Sequence, residues 1–470
     1  MFSDGVTRPL DSLGCAVDTA AVATVAAKGF YCKLTGVAAG TATLTLSFEG
    51  LQATVPVEVL PARRLAAGGT NVWPVAAAAN DDGTVTLAWT GWDLGAVVIR
   101  RYSSDLSTFT PLDFELGQNQ RVHSLILRRD QRALLIWSDL LNIYGSFYTP
   151  TDGWQTANVI APIPTLPTYN TSLKIRGALA DSGTAVVVWQ FTDDALADNA
   201  SLYASRYAPG IGWSAAAQLG SASSFVFGAS AAGHAIAAWG TITGRVTGPG
   251  FDSYTNSASV ATMNAAGDWS DAALLDDSNY SAPDAVAVND TGTAIVAWAK
   301  GTSSGGIPLS AVKSEGSSWS APAALAFGPS AVGIDSAGNV ASIGYAPGIS
   351  AQLFTPLDGW GAKESLGGGN LAQSPLIVAP DGTAQVGWAV LQFGANTIEL
   401  RHFDAVLGWQ AVPTIRTPSF TGPNFVFDRN PSGAGVVFWS ASCNYCSDAT
   451  NADGLNLSNA EIYIEPLAVP

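Results

Sequence analysis

The sequence is poor in charge, histidine and cysteine. Of its 470 residues, 12% are charged, three are histidine and four are cysteine. Acidic residues outnumber Lys plus Arg by 37 to 21, which leaves a net charge of −16. Because so acidic a surface repels phosphate backbones and anionic lipid headgroups, we expect neither a nucleic-acid partner nor binding to a membrane surface.

Long apolar runs are also missing. No stretch of 18 or more unbroken apolar residues occurs, so no membrane insertion is expected. The opening MFSDGVTRPL lacks the basic and apolar regions of an export signal. Two interpretations follow, a cytoplasmic protein or a fragment whose first part is absent, and the resemblance of the N-terminal segment described below favours the fragment.

Sequence motifs of catalysis are absent. The chain has no H-E-x-x-H, no G-x-S-x-G and no phosphate-cradling loop. Its histidines, His123, His234 and His402, fall in or beside predicted strands. We therefore predict no catalytic residue, although two loop carboxylates that converge could still perform glycoside chemistry.

No cofactor or metal site is predicted either. The loop DATNADGLNLSN at 448–459 is rich in Asp and Asn and is a candidate for calcium, but its spacing does not fit an EF-hand loop.

The four cysteines form two local pairs at opposite ends of the chain, Cys15 with Cys32 and Cys443 with Cys446. Two disulfides formed in an oxidising compartment are the favoured interpretation. A free pair or a metal site at Cys443-x-x-Cys446 stays open. Zinc would need four ligands, and neither a second CxxC nor a nearby histidine is present.

An internal repeat dominates the sequence from residue 70 onward. NDDGTVTLAW at 80–89 returns as ADSGTAVVVW at 180–189, and related segments follow at intervals of about 50 residues. Each copy has a turn and then a strand that ends in an aromatic residue; the turn contains a glycine in every copy except the second, which has Gln131 instead. These aromatic residues are Trp89, Trp137, Trp189, Trp239, Trp298, Tyr345, Trp388 and Trp439.

Each repeat unit predicts four strands. A small apolar strand precedes a glycine turn, which we interpret as a two-residue hairpin, and a second tryptophan marks the fourth strand. Four-stranded units of this length, repeated radially, predict a β-propeller in which the strand-two tryptophan lies between adjacent blades. The fold class is therefore all-β, an eight-bladed propeller over residues 61–470, with seven blades as the alternative. A strand near 62–68 is expected to complete the last blade and close the ring.

Residues 1–60 carry a second pattern. Ser3-Asp4-Gly5, AVATV at 21–25, TGVAAGT at 35–41 and VPVEV at 55–59 resemble the bacterial Ig-like domain group 2 family. The resemblance implies a small β-sandwich, truncated at its start, of the kind that serves as a spacer in bacterial surface proteins. Cys15 stands where that family carries a tryptophan, and a bridge to Cys32 would replace the packing of that side chain.

The repeat region resembles the sialidase and lectin propellers of bacterial surface proteins in its Trp-bearing outer strand. The sialidase Asp-box is not matched, so the resemblance concerns architecture.

Binding is expected in the long, variable loops between strands two and three, and in the loops that join one blade to the next. The tryptophans outside the repeat register fall there, and nearby aromatic and acidic residues complete the candidate ligand-binding set. Aromatic faces with carboxylates suit sugars. The set is Trp73, Trp92, Asp93, Asp193, Asp194, Tyr254 and Tyr280.

The sequence thus predicts a monomeric, non-enzymatic module of a secreted, periplasmic or cell-surface bacterial protein that binds a glycan or another cell-surface ligand. A polysaccharide-active hydrolase or lyase, and a protein-docking scaffold, are the alternatives, because a shared fold does not determine function.

Overall fold

The computed structural model describes most of the chain. The described residues are 14–21, 23–28, 31–36, 40–48, 51–59, 63–67, 72–91, 96–106, 108–117, 119–163, 172–192, 199–248, 251–277, 281–302, 305–392, 395–412, 414–417, 424–430, 434–441 and 461–468. Contacts divide the chain into two compact units, Met1–Leu65 with Tyr463–Glu465, and Ala66–Ile462 with Pro466–Pro470. The predicted domain boundary at residue 60 stays a prediction.

The first unit contains two small antiparallel sheets. Strands β1, β4 and β5 form one sheet and β2 and β3 form the other. Their bounds are β1 Gly14–Val17, β2 Ala23–Lys28, β3 Tyr31–Gly36, β4 Gly40–Phe48 and β5 Leu51–Val59. Cys15, on β1, is disulfide-bonded, and its predicted pairing with Cys32 stays a prediction.

Every regular element of the described residues is a β-strand, and the strands from β6 to β42 form eight further sheets. Sheet 1 consists of β7 Val72–Ala79, β8 Val85–Gly91, β9 Ala96–Tyr102, β10 Phe109–Pro111 and β11 Phe114–Glu115, and sheet 2 of β12 Arg121–Leu127, β13 Ala133–Ser138, β14 Asn142–Thr149, β15 Gly153–Trp154 and β16 Asn158–Pro162. Sheet 3 consists of β17 Ser172–Leu179, β18 Ala185–Thr192, β19 Ala200–Ala208, β20 Gly212–Trp213 and β21 Ala217–Ala222. Sheet 4 consists of β22 Ser224–Ala229, β23 Ala235–Gly248, β24 Phe251–Met263 and β25 Ala273–Asp276.

Sheets 5 to 8 continue the pattern. Sheet 5 consists of β26 Ala282–Val288, β27 Ala294–Thr302, β28 Gly305–Lys313 and β29 Ala323–Ala324, and sheet 6 of β30 Pro329–Ile334, β31 Val340–Tyr345, β32 Ile349–Thr355, β33 Gly359–Trp360 and β34 Glu364–Gly367. Sheet 7 consists of β35 Asn370–Val378, β36 Ala384–Gln392, β37 Ala395–Asp404, β38 Gly408–Ala411 and β39 Ile415–Thr417. Sheet 8 consists of β40 Asn424–Arg429, β41 Ala434–Ala441, β42 Glu461–Ala468 and β6 Arg63–Ala67.

The eight sheets are arranged as in a β-propeller. The first strand of each sheet contacts the first strand of the next, and β40 of the last sheet contacts β7 of the first. In the eighth sheet the strand order is β40–β41–β42–β6, so its fourth strand precedes the repeats in the chain. Such a cyclic order leaves each sheet covered on both faces.

The strand-two tryptophans lie between sheets, as predicted. Trp137 packs among Ala88, Val97 and Ile99 of the preceding sheet, and Trp89 lies 6.0 Å from Phe438 of the eighth sheet, measured between ring centroids. All seven tryptophans are at most 4% exposed. Burial of indoles against the neighbouring sheet therefore holds successive sheets together.

Sheet 6 corrects one prediction. Tyr345 does not take the tryptophan position, because it lies one residue further along β31 and is 49% exposed. The equivalent residue is Gly344, which pairs with Pro329 as Trp298 pairs with Pro283. A side chain at Gly344 would meet the ring of Phe327 at 2.8 Å. Phe327 thus fills the space that an indole fills elsewhere.

The turns between strands one and two correct a second prediction. The amide of Gly83 donates to the Asn80 carbonyl, and the amide of Asn80 donates to the Thr84 carbonyl. With φ of 83° at Gly83, this is a three-residue loop with a glycine bulge rather than a two-residue turn. Gln131, the residue that replaces this glycine in the second copy, has a φ of 68° and keeps the same turn.

Among the described residues we find no helix with the length and hydropathy that a bilayer-crossing segment requires.

Candidate functional site

Most of the predicted binding residues lie outside the described residues. They are Trp92, Asp93, Asp193, Asp194 and Tyr280. The predicted disulfide pair Cys443 and Cys446 and the calcium candidate loop at 448–459 lie outside the described residues too. The backbones of Trp73 and Tyr254 are described: Trp73 pairs with Thr90, and Tyr254 pairs with Arg245 on the long β23–β24 hairpin. Their side chains are outside the description, so the ligand-binding set stays a prediction.

The other end of the sheets is well described. We call it the turn end, because it carries the turns between strands one and two and between strands three and four. In five sheets an aromatic residue near the end of strand three pairs with the aromatic residue of strand four, at 5.2 to 5.5 Å between ring centroids. The pairs are Tyr102–Phe109, Tyr148–Trp154, Tyr207–Trp213, Phe354–Trp360 and Phe403–Trp409.

Sheets 4 and 5 lack this aromatic pair. Their strand-three residues are Met263, opposite Ala235, and Lys313, opposite Ala294. Tyr207 lies opposite Ala185 in the same register, which establishes that the positions are equivalent. The strand-four tryptophans remain, Trp269 bridged to Met263 and Trp319 beneath the ammonium group of Lys313 at 6.0 Å. Each of these two sheets has therefore lost one ring of the pair.

A cavity of about 360 Å³ lies between these two sheets at the turn end. Lys313 lines it, so the cavity occupies the place where the missing ring of sheet 5 would pack. The corresponding space between sheets 1 and 2, where Tyr148 and Trp154 pack, measures about 10 Å³. The space between sheets 3 and 4 is equally small, because Met263 packs there against sheet 3 in place of a ring. We call the cavity between sheets 4 and 5 the 4–5 cavity; its remaining polar and aromatic lining includes His234, Thr262, Asn264, Asp268, Trp269, Ser270 and Glu315.

The lining of the 4–5 cavity combines donors and acceptors of hydrogen bonds. The ammonium group of Lys313 donates to the Thr262 hydroxyl at 3.2 Å. Nδ1 of His234, whose side chain is buried, lies 3.8 Å from a carboxylate oxygen of Glu315, whose side chain is 54% exposed. Asp268 is exposed at the rim and accepts a hydrogen bond from the Asn264 amide at 3.2 Å.

This arrangement can bind a small polar ligand with an apolar face. Two carboxylates and one ammonium group give no excess of positive charge, so the cavity does not favour phosphate. Among the described residues no group of three or more His, Cys, Asp or Glu side chains is placed to hold a metal ion.

Two titratable groups on the first strands lie outside the cavity. Nε2 of His123 is 2.8 Å from the Ser138 hydroxyl, and burial, with the charges of Arg121 and Arg176, lowers the pKa of His123 to about 4. Desolvation raises the pKa of Asp284 to about 6. His123 is therefore a neutral, hydrogen-bonded residue at pH 7.

The residues of the 4–5 cavity were not anticipated from the sequence. The sequence pattern assigned the recurrent residues to packing between sheets and predicted ligand binding in the variable loops, at the end of the sheets opposite the turn end. The usable pattern was the departure from the repeat: His234 stands where four other turns have threonine, and Met263 and Lys313 stand where five other sheets have an aromatic residue.

Comparison with known proteins gives similarity of fold and no family. No protein-family model matches the chain, and no curated protein matches it. The Ig-like resemblance of residues 1–60 therefore stays a prediction.

Solved propeller structures are similar to the chain at low identity. Puromycin hydrolase is 13% identical with a TM-score of 0.45, over 82% of this chain and 60% of that chain. The six-bladed lectin of Aleuria aurantia is 14% identical with a TM-score of 0.33, over 65% of this chain and 98% of that chain. The NanB sialidase of Streptococcus pneumoniae is 8% identical with a TM-score of 0.37, over 85% and 92%.

Proposed function

We propose that the chain is an eight-bladed propeller that binds a glycan without catalysis, as a monomeric module of a secreted, periplasmic or surface protein of bacterial type. Eight sheets with first strands in cyclic contact support the blade count. The observation that carries the binding proposal is the 4–5 cavity, which opens beside Lys313, where sheet 5 lacks the aromatic residue of strand three.

The chemistry of the cavity suits a sugar. A sugar hydroxyl both donates and accepts hydrogen bonds, and the lining offers donors in Lys313 and acceptors in Asp268 and Glu315. Trp269 supplies an aromatic surface against which the C–H face of a pyranose ring can pack. Charged groups of both signs favour a neutral or weakly charged sugar over a phosphorylated one.

A glycan array on the purified chain tests the proposal. Glu315→Gln and Asp268→Asn remove one acceptor charge each without changing side-chain size, and we expect each to weaken the best array ligand at least tenfold. Glu364→Gln is the matched control, because Glu364 is an exposed carboxylate of sheet 6. Unchanged binding by both cavity variants, with loss of binding in Trp92→Ala, would move the site to the loop end.

A polysaccharide-active enzyme is the second candidate, because Asp268 and Glu315 line the same cavity and glycoside cleavage uses two carboxylates. Release of reducing ends from the array ligand, abolished in both variants, would establish the enzyme. Binding without any release of product supports the non-enzymatic module.

A further inference from the structure

A second cavity, of about 210 Å³, lies at the turn end near the propeller axis. Arg129 of sheet 2, Ile377, Asp381 and Gln385 of sheet 7, and Arg429 of sheet 8 line it. Sheets 2 and 8 are separated by sheet 1 in the cyclic order, so a space that touches both must lie close to the axis. We call it the axial cavity.

The axial cavity contains a buried amide without a partner. Gln385 is 2% exposed, and neither its side-chain oxygen nor its nitrogen has a hydrogen-bond partner among the described residues. The strand face that carries Gln385 also carries Gly387, where a side chain would meet Phe427 of sheet 8 at 2.7 Å. The amide therefore points into the space between sheets 7 and 8.

Gln385 is also a departure from the repeat. The same position, second in strand two, is occupied by residues that are apolar in most sheets and never an amide in the other described ones. Those residues are Thr86, Leu134, Val186, Ile236, Ile295, Ala341 and, three residues before Trp439, Val436. A buried amide that leaves both polar atoms unpaired is unfavourable for stability alone, so its presence favours a role in binding.

Arg429 supplies positive charge beside this amide. Its Nη1 lies 2.9 Å from Nδ1 of His402, and burial together with Arg429 lowers the pKa of His402, so the imidazole is a neutral acceptor. The Nε of Arg429 is buried without a partner among the described residues. Asp381 acts on Arg429 only through charge attraction.

The other cation of the cavity is already paired. Nη2 of Arg129 lies 3.3 Å from one carboxylate oxygen of Asp428, and the other oxygen accepts a hydrogen bond from the backbone amide of Ala79 at 2.9 Å. Arg429 is thus the group of the lining with unused charge-assisted donors, and guanidinium groups bind carboxylates in forked geometry.

We propose that the axial cavity binds a small hydroxycarboxylate, with the carboxylate on Arg429 and the hydroxyl group on the amide of Gln385. A hydroxyl group donates to an amide oxygen and accepts from an amide nitrogen, so it can satisfy either polar atom of Gln385. A cavity of about 150 Å³ holds benzene, so this larger one admits an acid of about six to ten non-hydrogen atoms. This site is separate from the 4–5 cavity.

Titration calorimetry of the full chain with sodium glycerate and sodium lactate tests the proposal, with lactamide as the neutral analogue. We expect saturable binding of at least one acid and at least tenfold weaker binding of lactamide. Gln385→Leu, which replaces the amide by an apolar group of similar shape, should weaken the acid at least tenfold. Arg429→Gln should do the same.

Arg121→Gln is the control, because Arg121 is exposed on the first strand of sheet 2 and does not line the axial cavity. Its affinity for the acid should stay within twofold of that of the wild-type chain. The proposal is overturned if neither acid binds the wild-type chain, if lactamide binds as tightly as lactate, or if a folded Gln385→Leu variant retains full affinity. Lys313→Tyr, which alters the lining of the 4–5 cavity, should leave acid binding unchanged, so this result is independent of the glycan proposal.

Discussion

Lys313→Tyr should place a rigid ring in the wall of the 4–5 cavity, remove its ammonium donor and weaken glycan binding at least tenfold, with a modest effect on stability. In sheet 3, Tyr207 fills the equivalent position and its ring lies 5.4 Å from that of Trp213. An introduced tyrosine ring should pack on Trp319 in the same way, because Lys313 already lies over that ring. The ligand would then have to displace a packed side chain.

The energy gained from the new aromatic pair partly offsets the energy lost with the interactions of Lys313. The new aromatic pair contributes about 0.5–1.5 kcal/mol. The substitution removes a partly exposed cation–π contact of about 0.5–1 kcal/mol and one hydrogen bond to Thr262 of about 0.5–1.5 kcal/mol. We therefore expect the free energy of unfolding to change by no more than about 2 kcal/mol; in binding, a loss of about 1.4 kcal/mol lowers the affinity tenfold.

Urea unfolding and calorimetry with the best array ligand measure the two effects. Lys313→Met removes the charge without adding a ring, and should weaken binding less than Lys313→Tyr does. Lys363→Tyr is the control for surface aromatics, since Lys363 is exposed in sheet 6. If the folded Lys313→Tyr chain binds the ligand within twofold of wild type, the 4–5 cavity is not the binding site.

Three further predictions concern stability. Trp388→Ala removes an indole that is 0% exposed and should lower the free energy of unfolding by about 3–5 kcal/mol; a loss below 1 kcal/mol in urea unfolding would contradict inter-sheet packing. The pKa of His123 is about 4 in the folded chain against 6.5 in the unfolded one, so its contribution to stability is complete above pH 6.5. That contribution is lost as pH falls to 4, by up to about 3 kcal/mol, and His123→Gln should flatten this part of the curve. Gln131→Gly relieves positive-φ strain of about 1 kcal/mol but removes the hydrogen bond from the Gln131 side chain to Asp82, worth about 0.5–1.5 kcal/mol, so the two effects should nearly cancel; a change above about 1.5 kcal/mol in urea unfolding would contradict this.

The repeat alone determined much of the fold. A glycine turn and a terminal tryptophan at intervals of about 50 residues predicted four-stranded units in radial order, because each such unit can bury its two faces only against neighbours. Local residue types also predicted the buried tryptophans, since an indole at a fixed strand position faces the same neighbour in every copy. Tyr345 misled the prediction because its side chain points to the opposite face from Gly344, one residue earlier.

Only the tertiary structure decided where cavities form. Met263 and Lys313 are 50 residues apart in the chain, and each is an unremarkable end of a strand until the sheets stand side by side. In the sequence, Gln385 is likewise one polar residue of a strand. Whether its amide finds a hydrogen-bond partner depends on the side chains that sheet 8 packs against it. A sequence specifies which side chains recur, whereas the space left between two sheets depends on the sum of side chains contributed by both.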